Sequence, residues 1–116
     1  MNRISTDVLI IGSGNMVHNL RMVNWRMMDD NGGGFDWALN MNEKFKSLIL
    51  GGEHEPLINY TQLGKDAQLA IPTPEHYLPL LYSLGLQNKK DEVSLFNDKA
   101  MGGSLTMTSV KLTPVN

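Results

Sequence analysis

The chain opens with a short apolar run that ends at two closely spaced glycines. Residues 7–11 read Asp-Val-Leu-Ile-Ile, and Gly12-Ser-Gly14-Asn interrupts the run. A continuous run of β-branched and leucine residues is typical of a strand buried on both faces of an α/β sheet. Apolar residues then recur at helical spacing over 16–24. The first 25 residues therefore predict a strand, a glycine turn and a short helix.

The middle of the chain has helical patterns. Apolar residues fall on one face between Asp36 and Leu50, and two glycines follow, so we expect a helix there with Asp36 as its cap. A second short helix is expected over 55–63, and residues 64–71 are expected to form a loop.

A further helix is predicted after Thr73-Pro-Glu75, which is typical of a helix start. Pro79 lies only a few residues later, and a proline inside a helix removes a hydrogen bond and clashes with the carbonyl four residues back. Either the helix kinks or its regular part begins near Leu78. In both cases His76 lies at an irregular helix start.

Two strands are predicted at the end of the chain, over 92–96 and 104–112, with Gly102-Gly103 in the loop between them. The expected fold class is therefore α/β, as part of a larger fold: a strand–turn–helix start, two to three further helices and a C-terminal strand pair. We expect residues 1–116 to form a single domain, because this length suits one core.

Composition excludes several classes of function. There are no cysteines, which excludes disulfide scaffolds, thiolate metal sites and cysteine nucleophiles. The net charge of −2, without a cluster of cations, argues against a nucleic-acid partner. No apolar run approaches the roughly 20 residues of a membrane span, so no membrane association is expected. These features fit a cytoplasmic protein.

The glycine turn gives only a weak motif. Gly12-x-Gly14 after a strand suggests dinucleotide binding, but Val17 stands where that fingerprint requires a third small residue. A tight turn is the better interpretation. His18 and His76 each follow a turn, where side chains in α/β folds reach a cleft. His54 lies between two glutamates and is expected to be an exposed loop residue. A single histidine is more often structural than catalytic, so spacing alone leaves these roles open.

The residues around these two histidines resemble signatures of the class III extradiol ring-cleavage dioxygenases, in the DOPA 4,5-dioxygenase-like branch. The resemblance lies in VLIIGSGNMVHNLR at 8–21 and PTPEHYLPLLY at 72–82. Shorter similar stretches are FDWA at 35–38, PLINY at 56–60 and GSLTMTSV at 103–110.

The resemblance implies a specific chemistry. That family uses non-haem Fe(II), with Zn as a common substitute, to cleave catechol-type rings with O2. His76 matches a metal ligand, and His18 matches a histidine assigned to proton transfer and sometimes counted with the metal ligands. A neutral imidazole, with an ordinary pKa of about 6.5, can take a catechol proton and later return it, and it also suits Fe(II). Residues that would contact the substrate stay unassigned.

Members of this family are more than twice as long, and their other metal-binding histidines lie in the N-terminal half. We therefore expect this chain to correspond to the C-terminal half and to lack independent activity. The expected partners are the missing N-terminal half or further copies of the chain, with a catechol-type molecule and O2 once the site is complete. The alternative is a non-enzymatic, self-associating remnant that binds metal or an aromatic ligand weakly.

Overall fold

One long helix organises the core of the computed structural model, which describes residues 8–29 and 33–115. Helix α1 spans Asp36–Leu50, as its pattern predicts, and buries one apolar face that includes Phe45. Phe35 occupies the N-cap, so the expected cap Asp36 is instead the first helical residue, where its charge favours the helix dipole. The chain turns at Gly51 and Gly52, and Gly52 adopts a φ of 67°.

Three short helices pack on and beside α1. Helix α2 spans His54–Ile58 and leads into a 3₁₀ turn at Tyr60–Leu63, which together cover the predicted second helix. Helix α3 spans Lys65–Ala70, so the loop expected over 64–71 is wrong: Ala67 and Ala70 are small enough for close packing against α1. Helix α4 spans Leu78–Leu84, with Pro79 in its first turn, where a proline is tolerated.

The C-terminal strands confirm the α/β fold class and the expected strand pair, and they include a second pair that the sequence did not predict. Strand β1, Glu92–Phe96, pairs antiparallel with β4, Ser109–Thr113. A second antiparallel pair, β2 at Ala100–Met101 and β3 at Leu105–Thr106, turns through Gly102 and Gly103. The strand predicted over 104–112 is therefore interrupted, because Thr108 turns its hydroxyl into a buried hydrogen bond with Asn42.

The predicted start of the chain is wrong in two respects. Residues 8–11 belong to no helix or strand, and their side chains are 61–83% exposed. Across the described ranges, no backbone hydrogen bond involves residues 8–11. A helix over 16–24 is also absent: this stretch runs alongside β3 and then forms 3₁₀ turns at Leu20–Met22 and Trp25–Met27. The amides of His18 and Asn19 bond to Ala70 and Ser104, far away in the chain, instead of within a helix.

A polar cluster joins α1 to the strands. Asp98 forms an ion pair with Lys46 and accepts a hydrogen bond from Asn42 Nδ2 at 2.9 Å. Thr108 Oγ1 lies 3.1 Å from the same carboxylate. The hydrogen bond from Lys46 is the main reason that the pKa of Asp98 is lowered, with Asn42 and Thr108 adding to it. The cluster therefore favours the charged form of Asp98.

The Asp98→Asn variant tests this cluster. We expect it to lower the free energy of unfolding at pH 7 by about 1 kcal/mol or less, since the side chain is 37% exposed. A lowered folded pKa stabilises the fold above the unfolded value of about 3.9, and this contribution is lost as the pH falls below it. Urea unfolding from pH 7 to 3 should show less acid destabilisation in Asp98→Asn than in the wild type. The control Glu43→Gln, at a more exposed partner of Lys46, should keep the wild-type profile.

Candidate functional site

His18 is held by backbone contacts on both sides. Its N–H donates to the Ala70 carbonyl at 2.8 Å, and its backbone forms an antiparallel bridge with Leu105. The neighbouring residue, Asn19, donates from its amide to the Ser104 carbonyl at 3.2 Å and from Nδ2 to the Leu69 carbonyl at 2.8 Å. These bonds fix the backbone of His18 between α3 and β3, while its ring stays half-buried.

His76 lies in the turn that precedes α4. The amides of Tyr77 and Leu78 both donate to the Pro74 carbonyl at 2.9 Å, which closes the turn. Tyr77 is buried, and its hydroxyl donates to the Leu57 carbonyl at 2.6 Å. The residue after His76 is therefore anchored in the core, and the His76 side chain is left exposed.

The glycine turn connects the two histidine segments. The Asn15 amide donates to the His76 carbonyl at 2.7 Å, and Asn15 Nδ2 donates to the Thr106 carbonyl at 2.9 Å. A β-carbon on Gly14 would lie 2.1 Å from the His76 carbonyl oxygen, so only glycine allows this approach. The glycines therefore serve close packing between two segments, whereas the tight strand-to-helix turn expected here does not form, because neither the strand nor the helix is present.

The two histidine rings stack on each other. Their centroids are 3.8 Å apart and their planes differ by 17°. Burial, and secondarily the proximity of His76, lowers the pKa of His18, while a backbone hydrogen bond and Glu75 act in the opposite direction. The lowered pKa favours the neutral His18 ring, the form that can accept a proton.

His54 is separate from this pair. It is half-buried at the first position of α2, and its Nε2 lies 2.9 Å from Gln87 Oε1. The exposed loop position expected from its acidic neighbours is therefore wrong. Over residues 8–29 and 33–115, no group of three or more His, Cys, Asp or Glu side chains is arranged to hold a metal ion.

Sequence reasoning missed the side chains that position this pair. Asn15 lies three positions before His18, and Asn19 directly follows it. The side-chain amides of both donate hydrogen bonds to backbone carbonyls far away in the chain. Ser104, which is buried, donates from its hydroxyl to the Asn19 carbonyl at 2.6 Å. The only signal was the presence of two asparagines beside a glycine turn, which by itself suggests a loop.

Known proteins resemble this chain in sequence and in fold. No protein-family model matches the sequence. The chain is 39% identical over 108 residues to the 4,5-DOPA dioxygenase extradiol of Escherichia coli K12, covering 90% of this chain and 38% of that protein. The protein of the same name from Portulaca grandiflora is 33% identical over 113 residues, covering 93% of this chain and 39% of its own length.

Over about nine-tenths of its length, this chain is similar to proteins named 4,5-DOPA dioxygenase extradiol. The crystal structure of an uncharacterized protein from Escherichia coli K12 matches the fold with a TM-score of 0.73 and 40% sequence identity, covering 84% of this chain and 40% of that one. The chain thus spans about two-fifths of the length of the relatives it matches. Among the described residues, no helix is long and apolar enough to cross a bilayer.

Proposed function

We propose that this chain carries part of the active site of an extradiol ring-cleavage dioxygenase, which inserts O2 into a catechol-type ring. The observation that carries the proposal is the stacking of His18 on His76, two rings that are 58 positions apart in the chain and 3.8 Å apart in space. The relatives named 4,5-DOPA dioxygenase extradiol cover both residues' segments at 39% and 33% identity. We assign metal binding to His76 and proton transfer to His18.

The ring geometry supports this division of roles. An imidazole binds a metal through a nitrogen lone pair that lies in the ring plane. Two nearly parallel rings whose centroids are 3.8 Å apart do not direct their in-plane lone pairs to one point. One ring of the pair is therefore suited to coordinate a metal ion, and the other is suited to lie beside that ion without coordinating it. The exposed ring of His76 is the accessible ligand, and His18 is the ring whose pKa is lowered, first by burial.

The donors in the described residues do not fit a complete Fe(II) centre. Such a centre uses about three protein ligands with open positions for substrate, and His76 supplies one. The chemistry that these residues can perform by themselves is narrower. A ring nitrogen of neutral His18 accepts a proton from a catechol hydroxyl and returns it later. The backbone bond to Ala70 holds the His18 backbone, and the bond from Asn15 holds the His76 backbone.

A zinc titration by calorimetry tests the ligand assignment. We expect His76→Ala to weaken zinc binding by at least about tenfold, or about 1.4 kcal/mol, and His18→Ala to weaken it less. His54→Ala is the matched control and should bind as the wild type does, since His54 is engaged with Gln87. Unchanged affinity in His76→Ala would refute its role as a ligand. Equal losses in His18→Ala and His76→Ala would show that both rings coordinate the ion.

Ring cleavage itself is tested after anaerobic loading with Fe(II), by adding a catechol and O2 and following the yellow ring-opened product. The isolated 116 residues are expected to form none. The same chain grafted in place of the matching 108 residues of the Escherichia coli relative should form product that depends on His18 and His76. Product from the isolated chain would contradict the proposed incomplete site.

A second candidate function is a self-associating module without enzymatic activity. The observation that favours it is the exposure of four consecutive apolar side chains at 8–11, between 61% and 83%. Exposed apolar segments of this kind associate readily. Light scattering after size exclusion measures whether the isolated chain is a stable oligomer. A stable oligomer, together with a graft that forms no ring-opened product, would favour the self-associating module.

A further inference from the structure

His18 and Leu105 lie directly opposite each other on neighbouring segments of the chain, where they form an antiparallel bridge. The amides that follow them, those of Asn19 and Thr106, donate to the carbonyls that precede the opposite residue, at 3.2 and 3.1 Å. This is the non-hydrogen-bonded type of antiparallel pair. Its side chains project from the same face, with β-carbons about 4.5–5.5 Å apart. The Leu105 side chain therefore lies beside that of His18.

Met101 extends this pair into a row. It is the partner of Leu105 in the pairing of β2 with β3, so its side chain projects from the same face. We call His18, Leu105 and Met101 the open row, because all three are partly exposed. The residues that alternate with them along the three segments are buried: Val17, Asn19, Ala100, Ser104 and Thr106. Beyond the His18 ring, the open row is therefore a half-exposed apolar surface.

We propose that Leu105, with Met101 beside it, contacts the aromatic ring of the catechol and makes the site prefer catechols with an uncharged, apolar substituent. This inference rests on the proposed function, in which a catechol hydroxyl bonds to His18. A hydroxyl within hydrogen-bond distance, about 2.6–3.2 Å, brings its aromatic ring next to the imidazole. Because His76 covers one face of that imidazole, the aromatic ring occupies another side, and the open row offers it an apolar neighbour.

The side chains of the open row suit an aromatic ring. A leucine side chain makes many dispersion contacts with an apolar surface, and a methionine thioether makes favourable contacts with aromatic rings. This contact also gives a role to the stretch GSLTMTSV at 103–110, which metal binding by His76 and proton transfer by His18 leave unused.

The charges around the histidine pair favour an uncharged substituent. Glu75 is exposed and acts electrostatically on both histidine rings. Leu105 and Met101 carry no charge that could pair with an anionic group. A carboxylate on the catechol is therefore repelled by Glu75 and loses water beside the open row without gaining a partner. A methyl group in the same place gains from the removal of apolar surface from water.

Titration of the isolated chain with 4-methylcatechol tests the contact, followed by NMR of the Leu105 and Met101 methyl groups. We expect saturable shifts of both signals, and 3,4-dihydroxybenzoate should bind at least about tenfold more weakly. Leu105→Ala should weaken the binding of 4-methylcatechol by about tenfold. The matched control Leu50→Ala changes an exposed leucine at the last position of α1 and should bind as the wild type does.

Two further variants separate ligand contact from stability. Leu105→Met keeps an apolar side chain and should retain the preference for 4-methylcatechol. Leu105→Lys adds a cation on an alkyl stem, and the half-exposed position lets that charge reach solvent. It should reverse the preference towards 3,4-dihydroxybenzoate, which a loss of stability alone cannot do. Wild-type affinities in Leu105→Ala, or an unchanged preference in Leu105→Lys, would overturn the proposal. So would the absence of saturable methyl shifts from both the isolated chain and the graft described above.

Ring cleavage by the graft separates this inference from the proposed function. The preference for 4-methylcatechol should appear there in kcat/KM. If product depends on His18 and His76 while the Leu105 variants leave the kcat/KM ratio of the two catechols unchanged, the proposed function stands and the contact with Leu105 is wrong. If the Leu105 variants change binding as expected while zinc binding and product formation ignore His18→Ala and His76→Ala, the contact stands and the proposed function fails.

Discussion

Gly14→Ala is expected to destabilise the chain by about 3 kcal/mol or more and to disrupt the histidine pair. The new β-carbon would lie 2.1 Å from the His76 carbonyl oxygen, a distance that atoms cannot adopt. Overpacking against backbone is relieved only by moving one segment, and such movement typically costs 1–3 kcal/mol or more. It would also break the bond from the Asn15 amide to the same carbonyl. Urea unfolding measures the loss, and the contact between the His18 and His76 rings can be followed by NMR.

Gly85→Ala is the matched control for this variant. Gly85 lies at the end of α4 with a φ of −62°, and its nearest contact to an added β-carbon is the Leu81 carbonyl at 3.3 Å. We expect its free energy of unfolding to stay within about 0.5 kcal/mol of the wild type, because alanine adopts this conformation without strain. Wild-type stability in Gly14→Ala would show that the segments are not held as closely as described.

Tyr77→Ala is expected to lower the free energy of unfolding by about 3–5 kcal/mol. The ring of Tyr77 packs between Phe45 and Tyr60, at centroid distances of 5.6 and 4.9 Å. Removing it leaves a cavity in the core and loosens the turn that carries His76. Denaturant unfolding measures the first effect, and zinc affinity measures the second.

Tyr77→Phe separates the hydroxyl from the ring. The hydroxyl satisfies the Leu57 carbonyl near the end of α2, where helix carbonyls lack intrahelical partners. We expect a loss of about 1–3 kcal/mol. An unchanged free energy of unfolding would show that this hydrogen bond contributes nothing.

The same variant has a pH signature. Burial, with a smaller contribution from Tyr60, raises the pKa of Tyr77 above its ordinary value. The folded state therefore favours the protonated phenol, and this contribution is complete below the unfolded pKa of about 10. It is lost as the pH rises above that value. Unfolding measured from pH 7 to 11 should show steeper base destabilisation in the wild type than in Tyr77→Phe.

Local patterns predicted the elements that need few distant contacts. Helix α1 forms as predicted because its apolar face, its first-turn acid and its terminal glycines all favour the same boundaries. Helix α4 begins at Leu78, one of the two outcomes expected from Pro79. Strand β1 also matches its predicted bounds.

The predictions that failed involve segments whose structure depends on residues far away in the sequence. Residues 64–71 lack a strong helical signal, yet α3 forms because Ala67 and Ala70 fit against α1. The helix expected over 16–24 competes with amide bonds to Ser104 and Ala70, and those bonds prevail. Segment 8–11 has the composition of a buried strand, but no described residue pairs with it.

The sequence by itself determined the α/β composition, the long helix and the resemblance that singled out His18 and His76. Only the tertiary structure decided that these two rings stack while His54 binds Gln87 elsewhere. The physical reason is that the pair depends on hydrogen bonds between residues far apart in the chain, such as Asn15 to His76 and His18 to Ala70. Such bonds leave no periodic trace in the sequence, because each forms only after α3, the turn before α4 and β3 have packed together.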